Sequence, residues 1–483
     1  MKHTLTKSTL IGILWTGISQ FSTQIFRFIV NVILARLLYP EEFGIVGLAT
    51  IFLGFISTIN ELGLSAAIIQ RKKLDETHLS TSFWASMGMG TMLCIISILV
   101  SPFIADFFQE KLVRWLIVVI SVGLILGPLS VIQRTLLEKN LNFKKITIAE
   151  ICDTLVSGLI SIFLAMNGYG VWSLVYGGLS GSFISIFILW ILSSWRPSLK
   201  FSFAHFKELF GFGSHVMGSR VLNYIDSNTD YLVIGKLLGT SALGYYTLAY
   251  NLITFPLFKI SLLVTRVTFP AFSIIQDDNK TLQKGYLKVV RFISLITFPM
   301  LAGMFVVAPE FVVVIYGSKW MPMILPLQVL CLAGALKSVG TTVGSILLSK
   351  GRADIQFKWN ILTAIVLTIA VIIGANYGIV GVAAAVTIVE IFLFLIIQKI
   401  TNRLIDLSMY NYLKAIYPAI IGSITLIIGV EIYQRIMDIY QVHDIGMLIS
   451  SSFVGILIYL LFIRLLFKNL FDEMKSLLHE MRK

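Results

Sequence analysis

Charge is scarce in this chain: Asp, Glu, Lys and Arg together make up 13% of its 483 residues, against 57% hydrophobic ones. So thin a polar coat cannot cover a water-soluble domain. With a mean hydropathy of +0.88, the chain reads as an integral membrane protein. Cysteine is scarcer still. Cys94, Cys152 and Cys331 each stand alone inside an apolar run, without a CxxC spacing or a neighbouring His. That excludes a disulfide framework and a cysteine-based metal site, and leaves them as small buried core residues. The six histidines are scattered; His479-Glu480 begins like a zinc-protease helix but lacks the second His, so no metal is expected. Long polar stretches are missing too, which leaves no room for an extramembrane catalytic domain. No cleavable leader is expected either: Met1–Lys7 is a short basic tail, and the run behind it is too long for a signal core and lacks a small-residue cleavage pattern.

What the chain has is hydrophobic runs. About 14 of them match the ~20 residues that a bilayer core of ~30 Å requires of a helix. They lie at 9–35, 43–69, 80–105, 112–135, 146–166, 170–194, 212–237, 243–269, 287–309, 320–348, 357–375, 378–398, 412–434 and 445–467. The expected fold class is all-α and integral to the membrane. Basic loops remain cytoplasmic, and Lys and Arg gather in alternate segments, such as Arg71-Lys72-Lys73, Lys139 with Lys144 and Lys145, and Lys280 with Lys284 and Lys288. The opposite turns around Asn167–Gly170 and Asn376–Gly378 carry no charge. Both termini are then cytoplasmic. The net charge of +13 is chiefly a topology signal that calls for no nucleic-acid partner, although the basic rim would attract anionic lipid head groups.

One stretch occurs twice. LARLLYPEEFGIVGLA at 34–49 returns as IGKLLGTSALGYYTLA at 234–249, with Arg36 over Lys236, Leu37 and Leu38 over Leu237 and Leu238, Gly44 over Gly244, and Leu48-Ala49 over Leu248-Ala249. Further on, LLEKNLNFKK (136–145) resembles LLSKGRADIQFK (347–358), and NGYGVWS (167–173) is echoed by ANYGIVG (375–381). Six runs separate the copies, an even number, so both point the same way. This predicts two parallel six-helix lobes around a central cavity, residues 1–198 and 199–403, plus two C-terminal helices at 404–467. The tail 468–483, KNLFDEMKSLLHEMRK, has apolar residues at helical spacing with basic ones between and is expected to lie on the cytoplasmic membrane surface as an amphipathic helix.

Polar residues inside the runs are few and patterned. Gln20, Gln24, Arg27 and Asn31 in the first run, and Ser219, Asn223, Asp226 and Asp230 in the seventh, each recur at spacings of four, three and four, which places each set on one helical face. A charge near the bilayer centre costs about 2.5–3.5 kcal/mol, so both stripes are expected to line the cavity between the lobes. Arg27, Arg220, Lys259 and Lys337 are the candidate cavity cations. Lys337 leads because it lies near mid-run and cannot snorkel, whereas Arg266 sits near enough to the inner surface to be interfacial. Glu61, Asp153, Asp226, Asp230 and Glu390 are the acidic candidates, as cavity groups or as ion-pair partners of neighbouring helices. A cavity rich in cations suits an anionic, lipid-linked head group such as a phosphate or pyrophosphate; the competing reading pairs each cation with an acid and leaves the lumen nearly neutral. Asp277-Asp278, flanked by Lys280 and Lys284, reads as a solvated turn.

Five stretches occur in order along the chain: ARLLYPEEFGIVGLA (35–49), ELGLSAAIIQRKKL (61–74), DYLVIGKLLGTSALGYYTLAYNLITFP (230–256), VTFPAFSIIQ (267–276) and YGSKWMPMILPLQVL (316–330). Through them the chain resembles the polysaccharide transporter family, the lipid-linked oligosaccharide flippases of the multidrug/oligosaccharidyl-lipid/polysaccharide exporter superfamily, and most of all its colanic and teichuronic acid exporter branch. The resemblance covers essentially the whole chain. It implies a flippase of the bacterial inner membrane that carries an undecaprenyl-pyrophosphate-linked repeat unit to the periplasmic leaflet by alternating access, for exopolysaccharide, capsule or O-antigen synthesis. The expected partners are the lipid-linked oligosaccharide, membrane lipids, and polysaccharide polymerase and chain-length machinery, with the flippase itself a monomer. No enzyme activity and no cofactor are implied. The family has no short site motif, so the site residues rest on span and spacing. The main alternative is a cation-coupled multidrug antiporter of the same superfamily, with Asp226 or Asp230 holding a proton or sodium ion; intramembrane cations argue against it. A membrane glycosyltransferase, polymerase or ligase would need acids or His clustered on an aqueous loop, and a non-transporting scaffold for capsule assembly would need none of the polar stripe.

Overall fold

The computed structural model describes residues 2–60, 62–71, 74–256 and 262–467; within them the side chains of 2–14, 16, 18–21, 212, 215, 216, 219, 222, 226, 255, 256, 262, 263 and 265–267 lie outside the description. The described residues form helices joined by short turns, with no strand among them. In chain order these are α1 (Lys2–Leu37), α2 (Pro40–Asn60), α3 (Leu64–Gln70), α4 (Glu76–Phe108), α5 (Lys111–Ile120), α6 (Val122–Lys139), α7 (Phe143–Met166), α8 (Val171–Leu192), α9 (Phe203–Leu237), α10 (Thr240–Pro256), α11 (Leu262–Ile274), α12 (Asn279–Phe311), α13 (Ile324–Ser349), α14 (Ala353–Ala375), α15 (Gly378–Leu404), α16 (Met409–Ile439) and α17 (Asp444–Leu466).

Eleven stretches among the described residues are long and apolar enough to cross a membrane: α2 with α3, α4, α5 with α6, α7, α8, α12, α13, α14, α15, α16 and α17. The other three expected runs fall on α1, on α9, and on α10 with α11. α1 and α9 have 36 and 35 residues, roughly 50 Å at the helical rise, and parts of both lie outside the described side chains. The eighth run is divided by residues 257–261, outside the description. The predicted tail helix at 468–483 and the candidates Lys259 and Glu61 also lie outside it.

Capping residues set several helix starts. Asp75 accepts from the His78 amide at the head of α4, Asp278 from the Lys280 and Thr281 amides at the head of α12, and Ser408 from the Asn411 amide at the head of α16, each satisfying donors that a helix start leaves open. Asp278 is thus a helix cap, in keeping with the solvated turn expected there.

The chain divides into two compact units, Met1–Gly244 and Tyr245–Lys483. In the first, α7 packs along α8 and α1, α4 along α5 and α6, and α9 against α2, α3 and α4. The pairing of α7 with α8 needs small residues: a Cβ on Gly181 would sit 2.4 Å from Asp153 Oδ1, the close approach typical of membrane helix pairs. The repeat found in the sequence reappears as a reciprocal contact. A Cβ on Gly44 would lie 1.8 Å from the Thr240 carbonyl oxygen, and one on Gly244 would lie 2.0 Å from the Pro40 carbonyl oxygen. Pro40 and Thr240 are equivalent positions of the repeat, as are the two glycines, so the heads of α2 and α10 touch with their roles exchanged.

In the second unit α12 is central, packed against α13, α16 and α17, while α15 joins α13 to α14. Its core gathers Tyr286, Val290, Ile293, Tyr412, Leu426 and Tyr459. Gln398 donates to the Tyr286 hydroxyl at 3.0 Å and to Asn402 Oδ1 at 2.8 Å, and the Tyr459 hydroxyl donates to the Leu295 carbonyl at 2.8 Å. The two C-terminal helices, which lack a counterpart in the repeat, therefore supply core side chains to this unit.

Candidate functional site

Helix α1 sorts its residues by face. Val30, Leu34 and Leu38 are buried, with Phe26 and Val30 against Gly158 of α7. Ile25, Ile29 and Ile33 are exposed on one side, as lipid-facing residues of a membrane helix would be. The polar stripe lies opposite them: Arg27 and Asn31 are exposed and Gln24 half-buried, while the Gln20 side chain is outside the description. The Arg27 guanidinium acts electrostatically on Asp153, half-buried on the neighbouring α7, as do Arg134 and Glu150. The first-run stripe thus has a basic head and an acid within range.

On α9, Arg220 and Asn223 are exposed and Asp230 is buried, its Oδ1 accepting from the Tyr231 amide at 2.9 Å; the side chains of Ser219 and Asp226 are outside the description. Lys337, on α13, has its ammonium 3.1 Å from Glu390 Oε1 of α15 and donates to the Tyr250 hydroxyl of α10 at 3.0 Å. With the Lys and Glu side chains only 23% and 19% exposed, this is a shielded ion pair. The structure thus brings together two candidates, Lys337 and Glu390, that no sequence spacing connects.

Two cavities in the first unit share α2 as a wall. One, ≈ 410 Å³, is lined by Thr50, Ser57 and Asn60 of α2, Ser86 of α4 and Gly127 and Pro128 of α6. Asn60 donates to the Leu124 carbonyl at 2.9 Å, while its own Oδ1 and the Ser86 hydroxyl are buried without a hydrogen-bond partner among the described residues. The other, ≈ 310 Å³, is apolar, lined by Ile51, Phe52 and Phe55 of α2, Phe107 of α4, and Tyr224 and Leu232 of α9. The Tyr224 hydroxyl donates to the Ile51 carbonyl at 2.8 Å and fixes α9 to α2. The sequence reading missed Ser57, Asn60 and Ser86 because they fall in neither of the two periodic stripes.

Long apolar helices with charged side chains within them define a polytopic α-helical membrane protein. The family model described as "Polysaccharide biosynthesis protein" matches residues 33–325. The chain is 31% identical over 394 residues to the lipopolysaccharide biosynthesis protein WzxC of Escherichia coli K12, a match covering 80% of this chain and 79% of that one. It is 29% identical over 423 residues to the teichuronic acid biosynthesis protein TuaB of Bacillus subtilis 168, covering 85% and 86%. Its fold is that of the lipid II flippase MurJ in an inward closed conformation, with a TM-score of 0.78, 19% identity, and 95% of this chain and 99% of that chain covered. The chain belongs to the polysaccharide biosynthesis protein family.

Proposed function

We propose that the protein is a flippase for a lipid-linked oligosaccharide, moving an undecaprenyl-pyrophosphate-linked repeat unit from the cytoplasmic to the outer leaflet of the bacterial inner membrane for exopolysaccharide, capsule or O-antigen assembly. The observation that carries this reading is the exposed stripe of Arg27 and Asn31 on a membrane helix, in a chain of the polysaccharide family. An intramembrane arginine left exposed on its helix suits a pyrophosphate, which a guanidinium can grip with two parallel hydrogen bonds. Hydroxyl and amide groups at Thr50, Ser57, Asn60 and Ser86 suit sugar hydroxyls, and the apolar cavity beside them suits a stretch of the lipid chain. Lys337, tied to Glu390 and Tyr250, is assigned a structural part, and Arg27 with Arg220 the cargo contacts. Residues 1–198 and 199–403 are the lobes that rock to give alternating access, with both termini cytoplasmic. The protein works as a monomer beside a polymerase and chain-length machinery.

Neutralising Arg27, Arg220 and Lys337 one at a time, in an assay of lipid-linked oligosaccharide flipping, tests the assignment. Arg27→Gln should lower transport at least about tenfold, the loss of one charge-assisted hydrogen bond; full activity in all three variants would sink the anionic-cargo reading. A drug-resistance assay run beside it separates the rival, since a multidrug antiporter would confer resistance and leave flipping unchanged.

A further inference from the structure

His78 and His205, far apart in the sequence, meet where α4 and α9 begin. Their rings stand edge to face with centroids 4.1 Å apart. Asp75 accepts a hydrogen bond from the His78 amide at 2.8 Å and pairs with His78 Nδ1 at 2.6 Å through the same oxygen, Oδ1. A proton held on Nδ1 by that carboxylate leaves Nε2 as a lone pair. His78 is only 5% exposed, and its Nε2 has no hydrogen-bond partner among the described residues. Glu208 Oε2 lies 3.7 Å from it, too far for a hydrogen bond. His205 is set in the same manner: its Nδ1 pairs with Ser202 Oγ at 2.7 Å, and its Nε2 lies 3.8 Å from Asp75 Oδ2. Ligand atoms of Asp75, His78 and His205 all fall within 4.8 Å of one another.

We propose that this cluster binds a first-row divalent metal ion of the zinc type, held by Nε2 of His78 and of His205 and by a Glu208 carboxylate oxygen, with water in the fourth position. Imidazole nitrogens and carboxylate oxygens bind zinc at ~2.0–2.2 Å, so two ligands of a tetrahedral ion stand roughly 3.3–3.5 Å apart. The 3.7 Å separation of His78 Nε2 and Glu208 Oε2 exceeds that by a few tenths of an ångström, a gap an ion closes and a hydrogen bond does not. A carboxylate on the far ring nitrogen is what orients and strengthens a histidine ligand, and Asp75 already holds that place on His78. Arg71 pairs with the other oxygen of Glu208, Oε1, which leaves Oε2 to turn to the ion. The Asp75 and Glu208 side chains are 59% and 53% exposed, which gives the ion a way in and Glu208 freedom to close on it. The ligands come from the head of α4 in the first sequence repeat and of α9 in the second, so the ion would tie the two repeats together at one rim. The site is independent of the cargo reading. Linear spacing alone argues against a metal, but spacing carries no signal when the two histidines come from different repeats.

The full chain in detergent, freed of any polyhistidine tag and stripped with chelator, is titrated with Zn²⁺ by calorimetry and with Co²⁺ by visible absorption. One ion per chain is expected, with the strong absorption of low-symmetry four-coordinate cobalt. His205→Gln and Glu208→Gln should each weaken binding at least about tenfold, while His443→Gln, outside the cluster, should bind as the parent does. Thermal unfolding of the metal-free proteins shows that the variants are folded, and these two substitutions spare the buried His78. A folded parent that binds no stoichiometric ion, or variants that bind as tightly as the parent, would overturn the site.

Discussion

Lys337 is held by Glu390 and Tyr250 in the middle of the tenth hydrophobic run. Removing one member of a shielded pair leaves the other charge uncompensated, at a cost on the order of 3 kcal/mol, whereas replacing both with apolar groups can be neutral. Glu390→Leu should therefore destabilise the chain by that amount, and Lys337→Met with Glu390→Leu should recover most of it, both read by denaturant unfolding in detergent. Transport separates the two kinds of cation: the double variant should keep activity, and Arg27→Gln should not. A different residue-scale effect belongs to Asp278. The Thr281 hydroxyl and the Thr281 and Lys280 amides hold its carboxyl below the usual carboxylate range. A carboxyl depressed in the folded state stabilises above its unfolded value of ~4, and that contribution disappears as pH falls through the lower folded value. Protection of the first-turn amides of α12 should thus be full at neutral pH and fall in acid. In Asp278→Ala it should be reduced at neutral pH too, as hydrogen-exchange mass spectrometry would show.

At the scale of elements, the heads of α2 and α10 meet through Gly44 and Gly244. A methyl at either position would have to push the facing backbones more than an ångström apart, given the 1.8 and 2.0 Å approaches. Gly44→Ala and Gly244→Ala should each open this contact. A cysteine at the fully buried Ala49, unreactive in the parent, should then become labelled by a membrane-impermeant maleimide; unchanged protection would mean the contact is not needed. Much at this scale was legible in advance. The runs 146–166 and 170–194 became α7 (Phe143–Met166) and α8 (Val171–Leu192), since apolar length and uncharged turns leave a membrane segment few alternatives. The equivalence of Gly44 and Gly244 was legible too. What could not be read was partnership. Lys337 and Glu390 lie on α13 and α15, His78 and His205 on α4 and α9, and no periodicity along one helix reports which other helix lies beside it. Likewise the repeat says which positions correspond, but not that α9, the first helix of the second copy, packs with α2, α3 and α4. Serines and asparagines such as Ser86 and Asn60 went unnoticed because, unlike Gln24 and Asn31, they belong to neither of the stripes that recur at four, three and four.

For the molecule as a whole, two units and a tandem repeat are built from long apolar helices in a chain of the polysaccharide biosynthesis protein family. The C-terminal pair α16 and α17 is integral to that body, since Tyr412 and Tyr459 lie in the core around α12. The exchange of roles between Gly44 facing Thr240 and Gly244 facing Pro40 also bears on how the two copies meet. A contact in which residue i touches j while j touches i is the signature of an isologous dimer, and a chain with its two copies fused end to end retains that signature internally. The two copies therefore meet as equals at this glycine, although Pro40-Glu41-Glu42 and Thr240-Ser241-Ala242 differ between them. Coexpressed as separate polypeptides, residues 1–198 and 199–483 should then copurify and regain flipping; halves that never associate would argue that the linker, and not the paired glycine contact, holds the repeats together.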